Sequence, residues 1–161
     1  MGADARFEDA PFADRPLRLR AEDADDLVIL SSLMQDAVVR TGDIRWLGRR
    51  RRLVILANRF RWEDAEEARR RRRPFERVRT ALTVEGVLGL KAQRLDPARP
   101  DAVTAVLALG WQETAEGAGR LTVSLAEGAA IVAEVEMLDV TLVDLTRPWE
   151  ARSGAMPSHE G

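Results

Sequence analysis

Cysteine and tyrosine are missing from this chain altogether, and histidine and lysine occur once each, at His159 and Lys91. Each shortage excludes something. Without Cys there is no disulfide framework to staple a small secreted domain. With the one His in the last few residues, Cys–His and Ser–His nucleophilic mechanisms lack a base that titrates near neutrality unless that tail folds back. Zinc and copper sites built from Cys and His go for the same reason. No GxxxxGK[ST] phosphate loop occurs, and Gly86-x-x-Gly89 lacks the surroundings of a dinucleotide fingerprint. No apolar run approaches the roughly 20 residues that span a bilayer. The opening MGADARFEDAPFADRP carries acids and no apolar core, so it does not read as a signal peptide. The expectation is a cytoplasmic protein with no membrane partner and no cofactor, a binding or interaction module rather than an enzyme, with a carboxylate-dependent enzyme as an alternative.

What is present is ordinary in amount. The 161 residues suit one domain, and the 45% hydrophobic content is that of a globular protein. Residues 1–15 are polar and aperiodic, which predicts a disordered arm; 16–150 form the domain, and 151–161 a disordered tail. Leu17–Arg20 alternates and predicts a first strand. Asp23 is placed to cap a helix over about 24–35, with Leu27, Leu30 and Met34 on its inner stripe. Beyond it the period becomes two. Short strands are predicted at 38–40 and 44–47, then a charged turn at Arg49–Arg52, then a strand from Leu53 to Trp62. Residues 63–76, ended by Pro74 and rich in charge, read as a long loop.

Val78, Thr80, Leu82 and Val84 alternate, Glu85-Gly86 supplies a turn, and Val87–Leu95 returns, which reads as a hairpin. Val103, Ala105, Leu107, Leu109 and Trp111 mark another strand, and Leu121–Leu125 and Ile131–Val135 a second hairpin around Glu127-Gly128. The phase slips before Leu138, Val140 and Leu142, as a bulge would make it, with a short helix over 137–145 as the competing reading. About nine strands at roughly ten-residue spacing predict an α+β, mostly β fold. It would be an antiparallel meander forming a curved sheet or open barrel, with one N-terminal amphipathic helix. A pleckstrin-homology-like barrel offers an analogy for the strand count, although the helix of that fold is C-terminal.

The chemistry left to such a chain is that of carboxylates and arginine. Glu134 and Glu136 share a strand face and would make a carboxylate pair, but their alternation with Ala133 and Val135 reads more simply as a solvent face. Trp46, Trp62 and Trp111 fall in strands and read as core or core-edge residues, and Trp149 lies beyond the last regular element. Charge is the uneven feature. Residues 40–80 hold 15 Arg and 6 acids, net +9, inside a chain whose overall charge is -2. Two runs stand out: Arg49, Arg50, Arg51 and Arg52 in a turn, and Arg69, Arg70, Arg71, Arg72 and Arg73 in the charged insertion. Flanking one strand, they would form a patch for a protein partner, for nucleic acid or for another anionic ligand. The alternatives are solvated loops neutralised by Glu63, Asp64, Glu66 and Glu67, and an arginine content set by codon usage.

The stretches LRLRAEDADDLVILSSLMQDAVV, IRWL, RRLVILANRFRWE, RVRTALTVEGVLGLKAQRLD and AIVAEVEMLDVTLVDLTRPW resemble the bacterial family of unknown function DUF2948. The resemblance covers about 17–150, with Asn58–Glu63 its most specific part. It implies one compact domain and transfers no catalytic residue.

Overall fold

In the computed structural model, which describes residues 16–151, apolar–polar alternation becomes strand wherever it runs unbroken. The expected arm at 1–15 and nearly all of the tail, including His159, lie outside the described residues. Eleven strands form: β1 (Arg18–Ala21), β2 (Val38–Arg40), β3 (Ile44–Leu47), β4 (Arg52–Phe60), β5 (Glu76–Val84), β6 (Val87–Gln93), β7 (Val103–Glu113), β8 (Gly119–Leu125), β9 (Ala130–Val135), β10 (Val140–Asp144) and β11 (Trp149–Glu150). All pairings are antiparallel, in the order β1-β10-β5-β4-β2-β7-β8-β9-β6, with β3 beside β4 and β11 beside β5. β2 joins the two halves, and the ends β1 and β6 do not close the sheet. Inward side chains of both halves meet in one core. Leu53, Ile55, Leu82 and Leu142 come from the first half, and Leu121, Val123, Leu125 and Ile131 from the second. Mostly antiparallel sheet is thus what the sequence predicts, but four of its local readings need correction.

The Glu85-Gly86 turn is real, with Gly86 at φ +66°, yet β5 and β6 do not pair. β5 lies between β4 and β10, whereas β6 crosses to the other half and pairs with β9. Nor is 131–144 one bulged strand, and no helix replaces it. β9 ends at Val135 on the second half, and Val140 opens β10 between β1 and β5 on the first, so the phase slip marks a crossing between halves. A bulge does occur in β7, between Val106 and Ala108. It exchanges the faces, so Val106 is buried while Val103 and Leu107 are exposed, against the simple alternation. The hairpin at Glu127-Gly128 forms as expected, both residues taking the positive φ that such turns need.

Helix α1 (Ala24–Met34) starts where Asp23 predicts, with the Asp23 carboxylate accepting from the Asp26 N–H at 2.8 Å. Leu27, Leu30 and Met34 are buried. Its outer face also carries apolar residues, Val28 and Ile29, both exposed, so the helix is less amphipathic than its inner stripe suggests. It is not the only helix. Residues 63–76 are not a long loop: α2 spans Trp62–Arg70. It buries Ala65, Ala68 and Asp64, a face without large apolar residues and so without a strong periodic signal. Glu63 and Asp64 in its first turn and Arg69 and Arg70 in its last complement the helix dipole. Among the described residues no helix is long and apolar enough to cross a membrane.

Candidate anion-binding surface

β4 begins at Arg52 and ends at Phe60, eight residue steps or about 26 Å of extended chain. The turn bearing Arg49–Arg52 sits at its start. Arg69–Arg73 sit beyond its far end, where α2 leaves and returns through the Arg61 N–H to Glu76 carbonyl bond of 2.9 Å. The two runs therefore do not form one patch across the strand. Their electrostatics differ as well.

At the far end much of the positive charge is paired internally, Arg72 alone of the run being exposed without an ion pair among the described residues. Arg73 lies 2.6 Å from Asp64, Arg71 2.6 Å from Glu67, and Arg70 also contacts Glu67. Hydrogen bonds from Arg73 hold the Asp64 carboxyl below the usual range, against the opposing effect of its burial. Here, too, are the residues that counting charges passes over. Arg59 is fully buried. Its Nη2 lies 2.7 Å from both Glu63 Oε2 and Asp144 Oδ2, its Nε lies 3.0 Å from Asp144 Oδ1, and its Nη1 lies 2.8 Å from Glu63 Oε1. Burial disfavours the charged guanidinium, but these bonds outweigh it and raise its pKa. Burial likewise opposes ionisation of Glu63, yet the Arg59 bonds keep its carboxyl below the usual range.

Arg61 is buried beside Glu76 and Asp64, and Asp144 also accepts from the Leu17 N–H at 3.3 Å. A sequence signal for this network exists. Arg59 continues the inward phase of Leu53, Ile55 and Ala57, and Asp144 continues that of Val140 and Leu142.

The depressed carboxyls set a pH dependence. A group whose folded pKa is depressed contributes stability above its unfolded pKa, and that contribution is lost as pH falls through the folded value. Thermal midpoints should therefore decline once the pH drops below about 4.3, the ordinary Glu value. In Asp64→Asn the decline should be shallower. Equal slopes for the two proteins by circular dichroism would show that Asp64 carries none of the effect.

The near end is different. β3 and β4 form a hairpin with Arg45 opposite Val54 and Trp46 opposite Leu53, and Gly48–Arg50 make a single turn of 3-10 helix at its tip. Arg51 closes the turn in the left-handed region at φ 50°. Arg52 is paired, 2.9 Å from Glu85. Arg45, Arg49, Arg50 and Arg51 are exposed, and none makes an ion pair among the described residues. Trp46 and Leu47 lie among them, 43% and 39% exposed. The core-edge reading of Trp46 thus gives way to a surface tryptophan flanked by free guanidiniums. The possible carboxylate pair is dispersed: Glu134 is taken by Arg120 at 2.8 Å, and Glu136 lies past the end of β9, exposed against Gly86. Among the described residues no group of three His, Cys, Asp or Glu is arranged to hold a metal ion.

No curated protein and no solved structure matches the chain. A family model described as a protein of unknown function, DUF2948, matches residues 17–159. Matched over most of its length, the chain belongs to the DUF2948 family.

Proposed function

We propose that this protein is a non-enzymatic binding module whose contact surface is the β3–β4 tip and whose partner is anionic there. The observation that carries the reading is the contrast between the two arginine runs. Arg70, Arg71 and Arg73 are engaged by carboxylates of the same segment, and Arg69 also has an interaction of its own. Arg45, Arg49, Arg50 and Arg51 project from a hairpin tip with no internal counter-charge among the described residues. Free guanidiniums on one projection attract anions over roughly a Debye length and then bind them through fork-shaped donors. Exposed Trp46 and Leu47 add contact area that a merely solubilising charged turn has no use for.

Retention on a heparin column tests this at low ionic strength. Arg49→Gln/Arg50→Gln/Arg51→Gln should elute at clearly lower salt than the unmodified protein, while Arg69→Gln/Arg70→Gln/Arg71→Gln should change elution much less. The reverse order would place the surface at the α2 end and sink the reading.

A further inference from the structure

We infer that the β3–β4 tip binds single-stranded nucleic acid, with one base stacked on Trp46 and neighbouring phosphates held by Arg49, Arg50 and Arg51. The inference rests on the reading of the tip as an anion-binding surface and adds the class of ligand.

Trp46 is what selects that class. It continues the inward phase of Ile44, whose partner Ile55 is buried, but it stands near the hairpin end where the core no longer covers it. The indole is also braced. A Cβ built on Gly48 would lie 3.3 Å from Trp46 Nε1 and 3.6 Å from Cε2, so the turn at Gly48 lies close beside the ring. A braced, exposed indole is a preorganised stacking surface, and every base has a face to offer it irrespective of sequence.

The positions of the cations fit a backbone passing over this ring. Arg49, Arg50 and Arg51 follow Trp46 round the turn, so positive charge lies just beyond the aromatic, whereas Arg45, opposite Val54, faces the other side of the sheet. Beside them Leu47, Gly48, Arg49 and Arg50 line a shallow, mainly apolar depression, which gives a sugar or second base apolar ground. Free phosphate would leave Trp46 and Leu47 idle. In a duplex the base faces are occupied by their neighbours, so the indole would have nothing to stack on.

The test is fluorescence anisotropy of the full chain with fluorescein-labelled oligo(dT) and oligo(U), titrated over a range of salt. Stacking of a base should make Trp46→Ala bind about five- to 150-fold more weakly, with Trp46→Phe retaining most of the affinity. Arg49→Gln/Arg50→Gln/Arg51→Gln should lower the slope of log affinity against log salt by about 2, as expected for three lost phosphate contacts on a single strand. An annealed duplex should compete poorly and inorganic phosphate not at all.

Circular dichroism of Trp46→Ala separates lost stacking from lost fold, and the salt slope of the arginine variant gives an independent reading if the alanine variant is unfolded. The inference is overturned by any of three results. One is absence of oligonucleotide binding, including the case where vesicles containing phosphatidylserine are bound instead. Another is equal binding of the duplex. The last is a folded Trp46→Ala that binds as tightly as the unmodified protein or, where the alanine variant does not fold, an unchanged salt slope in the arginine variant. If heparin retention depends on the tip but oligonucleotides are not bound, only the ligand class fails. If heparin retention does not depend on the tip, both readings fail.

Discussion

Arg59→Met should cost about 3–5 kcal/mol of folding stability, a large fraction of the roughly 5–15 kcal/mol that holds a typical domain together. The guanidinium is fully buried between Glu63 and Asp144, and the Asp144 side chain is only 5% exposed. Methionine fills similar space but leaves the Asp144 carboxylate inside with one backbone donor, the Leu17 N–H. Truncating one side of a buried pair is costly mainly because of the charge left behind. Asp144→Leu should be damaging for the mirror-image reason, with Glu63, more exposed at 32%, the remaining partner of Arg59.

The double variant Arg59→Met/Asp144→Leu should then recover much of the loss, since both charges have gone and the inward phases of β4 and β10 become uniformly apolar. Urea denaturation of the four proteins closes the cycle. Additive single costs would mean that the two groups do not act as a pair, and a cost below about 1 kcal/mol for Arg59→Met would mean the network is dispensable.

That network shows how far the sequence could be read. Strand existence was legible because Val78, Thr80, Leu82 and Val84 alternate without a break, and each of these is buried as the phase requires. The same alternation marks Arg59 and Asp144 as inward, and two inward charges of opposite sign invite pairing. Their pairing still depends on β4 and β10 both flanking β5, which no local pattern encodes. The turn at Gly86 illustrates the limit. A glycine at positive φ between two strands looks the same whether the chain doubles back or crosses to the other half of the sheet. α2 was illegible for another reason, since the face it buries is Ala65, Ala68 and Asp64, and small or charged residues give a hydrophobic period nothing to register. At the candidate surface, residue counts nominated both arginine runs equally. Only the positions of Asp64 and Glu67 separate the mostly paired run from the open one, where Glu85 engages Arg52 alone. Trp46 was misread because its phase is a core phase, and phase does not say where the core ends.

Gly119→Ala should be the most damaging single-methyl change in the second half of the sheet, at about 3 kcal/mol, the upper part of the range for overpacking. Gly119 opens β8 opposite Glu113 and Val135 and is buried. A Cβ there would lie 2.4 Å from the Gln112 carbonyl oxygen and 2.7 and 2.8 Å from two carbons of the Trp111 indole. Trp111 faces Leu121, so its ring reaches Gly119 on the diagonal between β7 and β8, and the absence of a side chain is what lets it lie there. The indole could swing away, but the Gln112 carbonyl belongs to the backbone of β7 and cannot yield without disturbing the pairing.

Gly110→Ala is the matched control. Its Cβ would meet nothing within 4 Å, and alanine suits a strand no worse than glycine. Chemical denaturation should therefore give Gly110→Ala a stability near that of the unmodified protein while Gly119→Ala unfolds at much lower denaturant. Should the two behave alike, the close approach of Trp111 and β7 to Gly119 is not a constraint on the fold. The Trp111→Ala/Gly119→Ala pair would then distinguish a movable ring from a movable strand, because removing the indole relieves only the contacts to the indole and leaves the carbonyl clash in place.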